Sequence, residues 1–302
     1  MTIAAPRPID PLRSAQTSRY ADEVVTVTRC GQAPVDAVRT EHFATWTVSG
    51  RVHVLHELPP ESIDNDLAGL VADELFAPGW LSGSDVFERV MTGIVLTSAP
   101  HAADAWELFY RNTLSRLAEP GDGATTYGSI DAYAPVYAHA KSLASGGSVL
   151  ELGCCFGFLS LQLADTARVT ASDVSLNTVR LLTSVAPRLG HRIETIICDA
   201  ARVPRPDASY DTVLAIHLLE HLEPDHGLAV LQEMLRLARR RIVVAVPFED
   251  EPTAAYGHVR VFSLDELGRL GELCAGWSFR HYEHHGGWLV LDREGSSGHL
   301  RK

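Results

Sequence analysis

The stretch Ser148–Ala164 constrains this chain more than any other. It reads Ser-Val-Leu-Glu-Leu-Gly-Cys-Cys-Phe-Gly-Phe-Leu-Ser-Leu-Gln-Leu-Ala. Val149, Leu150 and Leu152 form the short apolar run of a buried parallel strand. Gly153 and Gly157 break that run, and from Leu159 to Ala164 the spacing turns helical. A strand, a glycine turn and a helix put a helix N-terminus and several backbone N–H groups at the mouth of a crevice. Such a mouth suits a nucleotide-like ligand carrying a carboxylate or a phosphate. The dinucleotide fingerprint Gly-x-Gly-x-x-Gly does not fit the glycine spacing, which disfavours a nicotinamide dehydrogenase.

From Ser148 onward strands and helices alternate. Strands are expected at Arg168–Asp173, Ile193–Cys198, Thr212–His217 and Arg241–Val246. Helices are expected from Ser175 to Leu189, from Leu228 to Ala238, and from the capping box Ser263-Leu-Asp-Glu266 to Cys274. Gly286-Gly287 separates two β-like runs, Ser278–His284 and Trp288–Asp292, which read as a closing antiparallel hairpin. Upstream, Met1–Arg19 reads as a disordered arm. Residues 20–118 read as an α+β unit, with strands at Val24–Cys30 and Phe43–Leu58, the latter folded back at Ser49-Gly50. Its helices are expected at Leu67–Phe76, Ser84–Leu96 and Ala102–Leu117. The breaker cluster Glu119-Pro-Gly-Asp-Gly123 marks the boundary to a second domain, 125–302. A further helix is expected at Ile130–Leu143.

Charge excludes some partners. The chain has 302 residues and a net charge of −12, with 26 basic against 38 acidic side chains. No basic cluster extends beyond Arg239-Arg240-Arg241, so a nucleic-acid partner is not expected. No apolar run approaches a membrane span, and Met1–Ser18 lacks the apolar core of a signal peptide. The five cysteines have no metal-ligand spacing, and an odd count argues against a disulfide framework. Reduced thiols and a cytoplasmic location are expected.

The glycine stretch resembles motif I of the class I S-adenosylmethionine-dependent methyltransferases, Glu-x-Gly-x-Gly-x-Gly. Glu151, Gly153 and Gly157 match it, and Cys155 stands where the family has its middle glycine. Tyr210-Asp211-Thr212-Val213 resembles the family's opening of the fourth strand. The resemblance covers Tyr127–Glu294. It implies a doubly wound, mostly parallel seven-stranded α/β sheet with a reversed last strand. The composition shift at Glu119–Gly123 sets the N-terminal α+β unit, 20–118, apart as an appendage expected to act as a lid or substrate domain. The resemblance also implies S-adenosylmethionine as cofactor.

Asp173 ends the second strand of this domain, twenty residues beyond Gly153. An acidic residue there can accept both ribose hydroxyls, and the resemblance implies that role for it, with Val174 beside it. The resemblance further implies that Asp199 takes the adenine amino group and that Ala200 packs on the ring. Glu151 would reach the cofactor through water or order the glycine loop. Tyr127 either bonds the cofactor or the acceptor, or packs on the sheet. His217 is expected beside the adenosine.

His217-Leu-Leu-Glu220-His221 also spells the inverted zinc-peptidase motif, His-x-x-Glu-His, which needs a long helix. Here it follows a strand. In some quinone-pathway O-methyltransferases a Glu-x-x-Glu-His at this place binds a divalent cation, so Glu220 and His221 are either metal ligands or helix caps. Gly257-His-Val-Arg-Val-Phe262 resembles the loop that roofs the acceptor site, which makes His258 the first candidate for a general base and His221 the second. A hydroxyl acceptor needs such a base or a metal, and the histidines at 217, 221 and 258 therefore favour O-methylation.

Across its whole length the chain also resembles the mycofactocin oligosaccharide methyltransferases, through the N-terminal appendage, the Gly257–Phe262 loop and His284-His-Gly-Gly-Trp288. That resemblance implies a sugar hydroxyl on an oligosaccharide as acceptor. Other readings remain: another small-molecule acceptor of quinone, phenol or natural-product type, methylated on oxygen or nitrogen, or a degenerate domain that only binds. A homodimer is compatible with every one of these readings.

Overall fold

The computed structural model describes residues 9–13, 18–119, 129–144, 146–253 and 257–293. Its contacts divide the chain into two compact units, residues 1–134 and 135–302. The division falls inside the helix Ser129–Leu143. Of the expected boundary at Glu119–Gly123, all but Glu119 lies outside the described residues, as does most of the expected N-terminal arm. Where the arm is described it is held: the Trp106 indole N–H donates to the Pro11 carbonyl at 2.6 Å.

The first unit carries a five-stranded sheet. Its strands are β1 (Arg19–Ala21), β2 (Val25–Arg29), β3 (Val38–Arg39), β4 (Phe43–Val48) and β5 (Arg51–His56), in the order β1-β2-β5-β4-β3. β4 and β5 form the hairpin expected around Ser49-Gly50, both of which have positive φ. The helix expected at Leu67–Phe76 is not uniform. It runs as α1 (Leu67–Val71) and then widens into a π-turn over Ala72–Phe76, where the Ala77 N–H reaches the Ala72 carbonyl. α2 (Ser84–Leu96) and α3 (Ala102–Ala118) complete the unit.

Gly93 lets α2 approach the sheet closely. A Cβ there would lie 2.4 Å from a Val27 methyl and 2.9 Å from the Tyr20 ring. Arg89 of the same helix is buried and pairs with Asp22 at 2.6 Å and Asp85 at 2.8 Å. Asp66 accepts from the Ile130 N–H at 2.8 Å and the Ser129 hydroxyl at 2.9 Å, which fixes the first turn of α4 (Ser129–Leu143).

The second unit is a seven-stranded sheet: β6 (Ser148–Leu152), β7 (Arg168–Asp173), β8 (Glu194–Ile197), β9 (Tyr210–Ile216), β10 (Ala238–Val246), β11 (Trp277–Glu283) and β12 (Gly287–Arg293). The order is β11-β12-β10-β9-β6-β7-β8. β6 to β10 are parallel, and β12 is antiparallel to both neighbours. Successive β6 residues feed opposite cores. Leu150 and Leu152 pack with Val230, Leu231 and Met234 of α7 (Pro224–Leu237). Val149 packs with Val136 and Ala140 of α4 and with Leu159 of α5 (Phe158–Leu163). Burial on both faces explains why these strands read as unbroken apolar runs.

Gly93→Ala would force an extra methyl between α2 and β2 and should destabilise the first unit by about 1–3 kcal/mol. Urea denaturation of the full chain checks this.

Candidate functional site

The chain runs outward from β6 to β7 and β8, returns to the other side of β6 for β9, and continues to β10. The strand order therefore reverses between β6 and β9. Open parallel sheets bind ligands at such a reversal, outside the carboxyl ends of the strands. Every expected site residue that the structure describes lies at or just beyond one of these ends, or braces one. Tyr127 lies outside the described residues.

The glycine loop follows β6. Gly153 and Gly157 have φ of 67° and 75°. A Cβ on Gly153 would meet a Leu218 methyl at 2.7 Å, and one on Gly157 a Leu182 methyl at 2.5 Å. Both positions thus favour glycine by conformation, and a side chain there would also have to displace these leucine methyls. Cys155 is also left-handed, at φ 48°, without being glycine. Glycine would relieve that strain, which costs an L-residue roughly 1–2 kcal/mol. Glu151 is buried and accepts a short hydrogen bond from the Ser160 hydroxyl, tying β6 to α5. Burial, opposed by the Ser160 bonds, pushes its carboxyl up to about 7. This geometry places Glu151 as a brace of the loop.

Asp173 ends β7. One carboxylate oxygen accepts the Cys155 N–H at 3.0 Å and the other the Ser175 N–H at 2.8 Å. Ser175 caps α6 (Leu176–Val185). One carboxylate therefore fixes both the glycine loop and the start of the next helix. Beside it Val174 is 76% exposed, and Ile197 at the end of β8 is 49% exposed. Asp199 follows Ile197, and Ala200 packs against the core beneath. The Asp199 carboxylate accepts from the Ala201 N–H and from His226 Nε2, each at 2.9 Å. Those two bonds hold it below the usual carboxylate range. His226 was not anticipated from the sequence, because it sits on α7, well separated in the chain.

The other half of the crevice lies beyond β9 and β10. His217 has φ 52°, and its N–H donates to the Ala245 carbonyl at 2.9 Å. Burial, with the nearby His258 and His221, drives its imidazole down to about 4. Leu219–His221 is a single 3₁₀ turn, so His217, Glu220 and His221 share no long helix and the peptidase reading fails. Glu220 is 1% exposed, and neither carboxyl oxygen has a hydrogen-bond partner among the described residues. Burial, aided by Glu249, raises it to about 8. The Val259 N–H donates to the Glu220 carbonyl at 2.8 Å, which ties the Gly257–Phe262 loop to this turn.

His258 is held there with its side chain 9% exposed, and its Nδ1 lies 2.7 Å from a Glu249 oxygen. The other Glu249 oxygen accepts the Thr253 hydroxyl at 2.6 Å. Burial pushes Glu249 upward, but the bonds from Thr253 and His258 outweigh it and keep the group ionised. An ionised carboxylate on Nδ1 fixes the tautomer that leaves Nε2 as the basic nitrogen. His221 packs edge-on to His258 at 4.8 Å between ring centroids, and its Nδ1 faces the Gly257 carbonyl at 3.3 Å. Burial lowers its pKa. Neither Glu249 nor Thr253 stood out in the sequence, where they are ordinary loop residues.

A seven-stranded sheet of this order, with glycines at a loop beside its reversal and acids ending β7 and following β8, has the Rossmann-like fold expected from the resemblance to class I methyltransferases. Residues 149–241 match the family described as "Methyltransferase domain". Similar solved structures include an S-adenosylmethionine-dependent methyltransferase from Aquifex aeolicus, 20% identical, covering 60% of this chain and 97% of that one, with a TM-score of 0.45. Magnesium protoporphyrin IX methyltransferase from Synechocystis PCC 6803, solved with bound SAM, is 20% identical and covers 63% of this chain and 93% of that one, with a TM-score of 0.43.

Cys155→Gly relieves the left-handed strain but frees the unfolded chain, so stability should change by less than about 1 kcal/mol, with affinity for S-adenosylhomocysteine kept or improved. Calorimetric titration and thermal melts check both. Glu220 provides a pH signature. It titrates near 4.5 when unfolded and about 8 when folded. Its contribution to stability is complete below the lower value and is lost as pH rises through the higher one. Glu220→Gln removes that dependence. Measured in EDTA, the variant should gain on the wild type by a few kcal/mol between about pH 5 and about pH 9.

Proposed function

We propose that the chain is an O-methyltransferase whose acceptor is a small-molecule hydroxyl, with His258 as the general base. The Glu249–His258 pair is the observation that carries this reading. A hydroxyl is a weak nucleophile until its proton leaves, and an imidazole oriented by an ionised carboxylate can take that proton near neutral pH. A carboxylate acceptor, already ionised, would have no use for such a pair.

The glycine cradle fits the cofactor. Gly153, Cys155 and Gly157 would receive its amino-acid end. Asp173 would take the ribose hydroxyls on the lone pairs its backbone partners leave, and Asp199 the adenine amino group. Val174 and Ala200 would flank the ring, and His217 would wall the adenosine. Bound S-adenosylmethionine supplies an electrophilic methyl group for in-line displacement. The chain's own residues do the rest. His258 Nε2 accepts the acceptor's proton, Glu249 stabilises the resulting imidazolium, and Thr253 holds Glu249 in place. Holding acceptor and methyl collinear can lower the barrier by roughly 7–11 kcal/mol. The resemblance to the mycofactocin oligosaccharide methyltransferases narrows the acceptor to a sugar hydroxyl of a glycosylated small molecule.

A second reading rests on the buried Glu220. Its oxygens and nitrogens of His221 and His258 lie within 4.8 Å of one another. A divalent cation held by these groups would acidify the hydroxyl in place of the imidazole.

His258→Ala should lower kcat roughly 10²–10⁴-fold at unchanged cofactor affinity, and EDTA should have little effect. Strong inhibition by EDTA, reversed by Mg²⁺, together with a mild His258→Ala phenotype, would transfer the role to the cation. Asp173→Ala should weaken S-adenosylhomocysteine by about 1.5–3 kcal/mol in calorimetry, because it removes charged hydrogen bonds. The acceptor class is tested by mass-spectrometric detection of methyl transfer to short glucosides against simple phenols. Transfer to phenols alone would overturn the sugar assignment.

A further inference from the structure

The amino ends of the parallel strands, opposite the crevice, line an open depression of about 430 Å³. Its lining includes Arg168 at the start of β7, Arg192 just before β8, Arg239 near the start of β10, and Tyr210 at the start of β9, with Thr170 and Glu194 between them. These arginines are scattered in the sequence, and the topology alone brings them together. The chain carries a net charge of −12, so a concave surplus of positive charge runs against its overall balance.

The charges lining the depression are unevenly matched. Glu194 is taken by Arg205 and by the Thr170 hydroxyl at 3.0 Å. Arg239 is taken by Asp211 at 3.1 Å and by the Ser148 hydroxyl at 2.9 Å. Arg168 and Arg192 have no ion pair among the described residues. Two positive charges are therefore left over. Tyr210 supplies the second observation. It is 5% exposed, and its buried hydroxyl, whose oxygen faces the Arg205 guanidinium, has no acceptor for its proton among the described residues. A buried hydroxyl without an acceptor is costly unless a ligand supplies one.

We infer that this depression binds a phosphate group, carried by a small organic molecule or free, at a site separate from the methyl-transfer crevice. A phosphate dianion balances two guanidinium groups, each of which can engage two of its oxygens, and it offers a further oxygen to the Tyr210 hydroxyl. The volume lies within the usual range of small-ligand sites.

Calorimetric titration of the full chain with inorganic phosphate and with glucose 6-phosphate tests the site. Saturable binding is expected. In the exposed double variant Arg168→Gln/Arg192→Gln the affinity should fall on the order of tenfold or more, and Tyr210→Phe should weaken it to a smaller extent. Affinity for S-adenosylhomocysteine should stay at the wild-type value in both variants. Tighter binding of glucose 6-phosphate would assign an organic phosphate, and equal binding the free anion. No saturation by either probe, or unchanged affinity in the double variant, would overturn the inference.

Discussion

The crevice depends on one carboxylate. Asp173 accepts the backbone N–H of Cys155 and that of Ser175, so it closes the glycine loop of β6 against the first turn of α6. It adds to the backbone bond from the Cys154 N–H to the Ser172 carbonyl at 2.9 Å, which already ties the loop to β7. Leu218 and Leu182 back the same loop from behind, filling the space that a side chain on Gly153 or Gly157 would need. The conformation is thus fixed from the front by charge-assisted hydrogen bonds and from behind by packing, a combination that yields a pre-shaped cradle.

The half of the crevice beyond β9 and β10 is built on a different principle. Its key groups, His217, Glu220 and His258, are desolvated and rely on a few internal bonds. Glu249 couples them electrically. It is bonded to His258 and Thr253, and its charge raises Glu220 and opposes the downward shift of His217. Under the proposed function, a crevice with a rigid polar half and a dry ionisable half would separate holding a cofactor from moving a proton.

Much of this was legible in the chain. The bounds of α2 and β7 coincide with those read from periodicity, because apolar spacing and end residues agree there. The Ser263–Glu266 capping box forms as expected. β1 and β3 were missed, being too short for any periodic signal. The π-turn after Val71 was missed because a one-residue widening leaves apolar spacing nearly unchanged. In the candidate site, the position of Asp173 at a strand end was legible from spacing, that of Gly153 from the glycine turn, and that of Asp199 from the resemblance. His226 and Glu249 were not. Each acts through a single long-range side-chain bond, and nothing in local sequence sets a loop glutamate beside a particular histidine.

The left-handed Cys155 carries a consequence for selective chemistry. Its side chain is exposed in the loop that the cofactor's amino-acid end would occupy. Chains with the family's glycine at that place have no side chain there to react. Desolvation and the Asp173 carboxylate push this thiol up to about 11, so an electrophile tethered to a weak cofactor mimic would find an anchoring point that glycine-bearing methyltransferases lack, and would react with it faster as pH rises. Selectivity would come from one atom of sulfur and would not require any difference in the shape of the pocket.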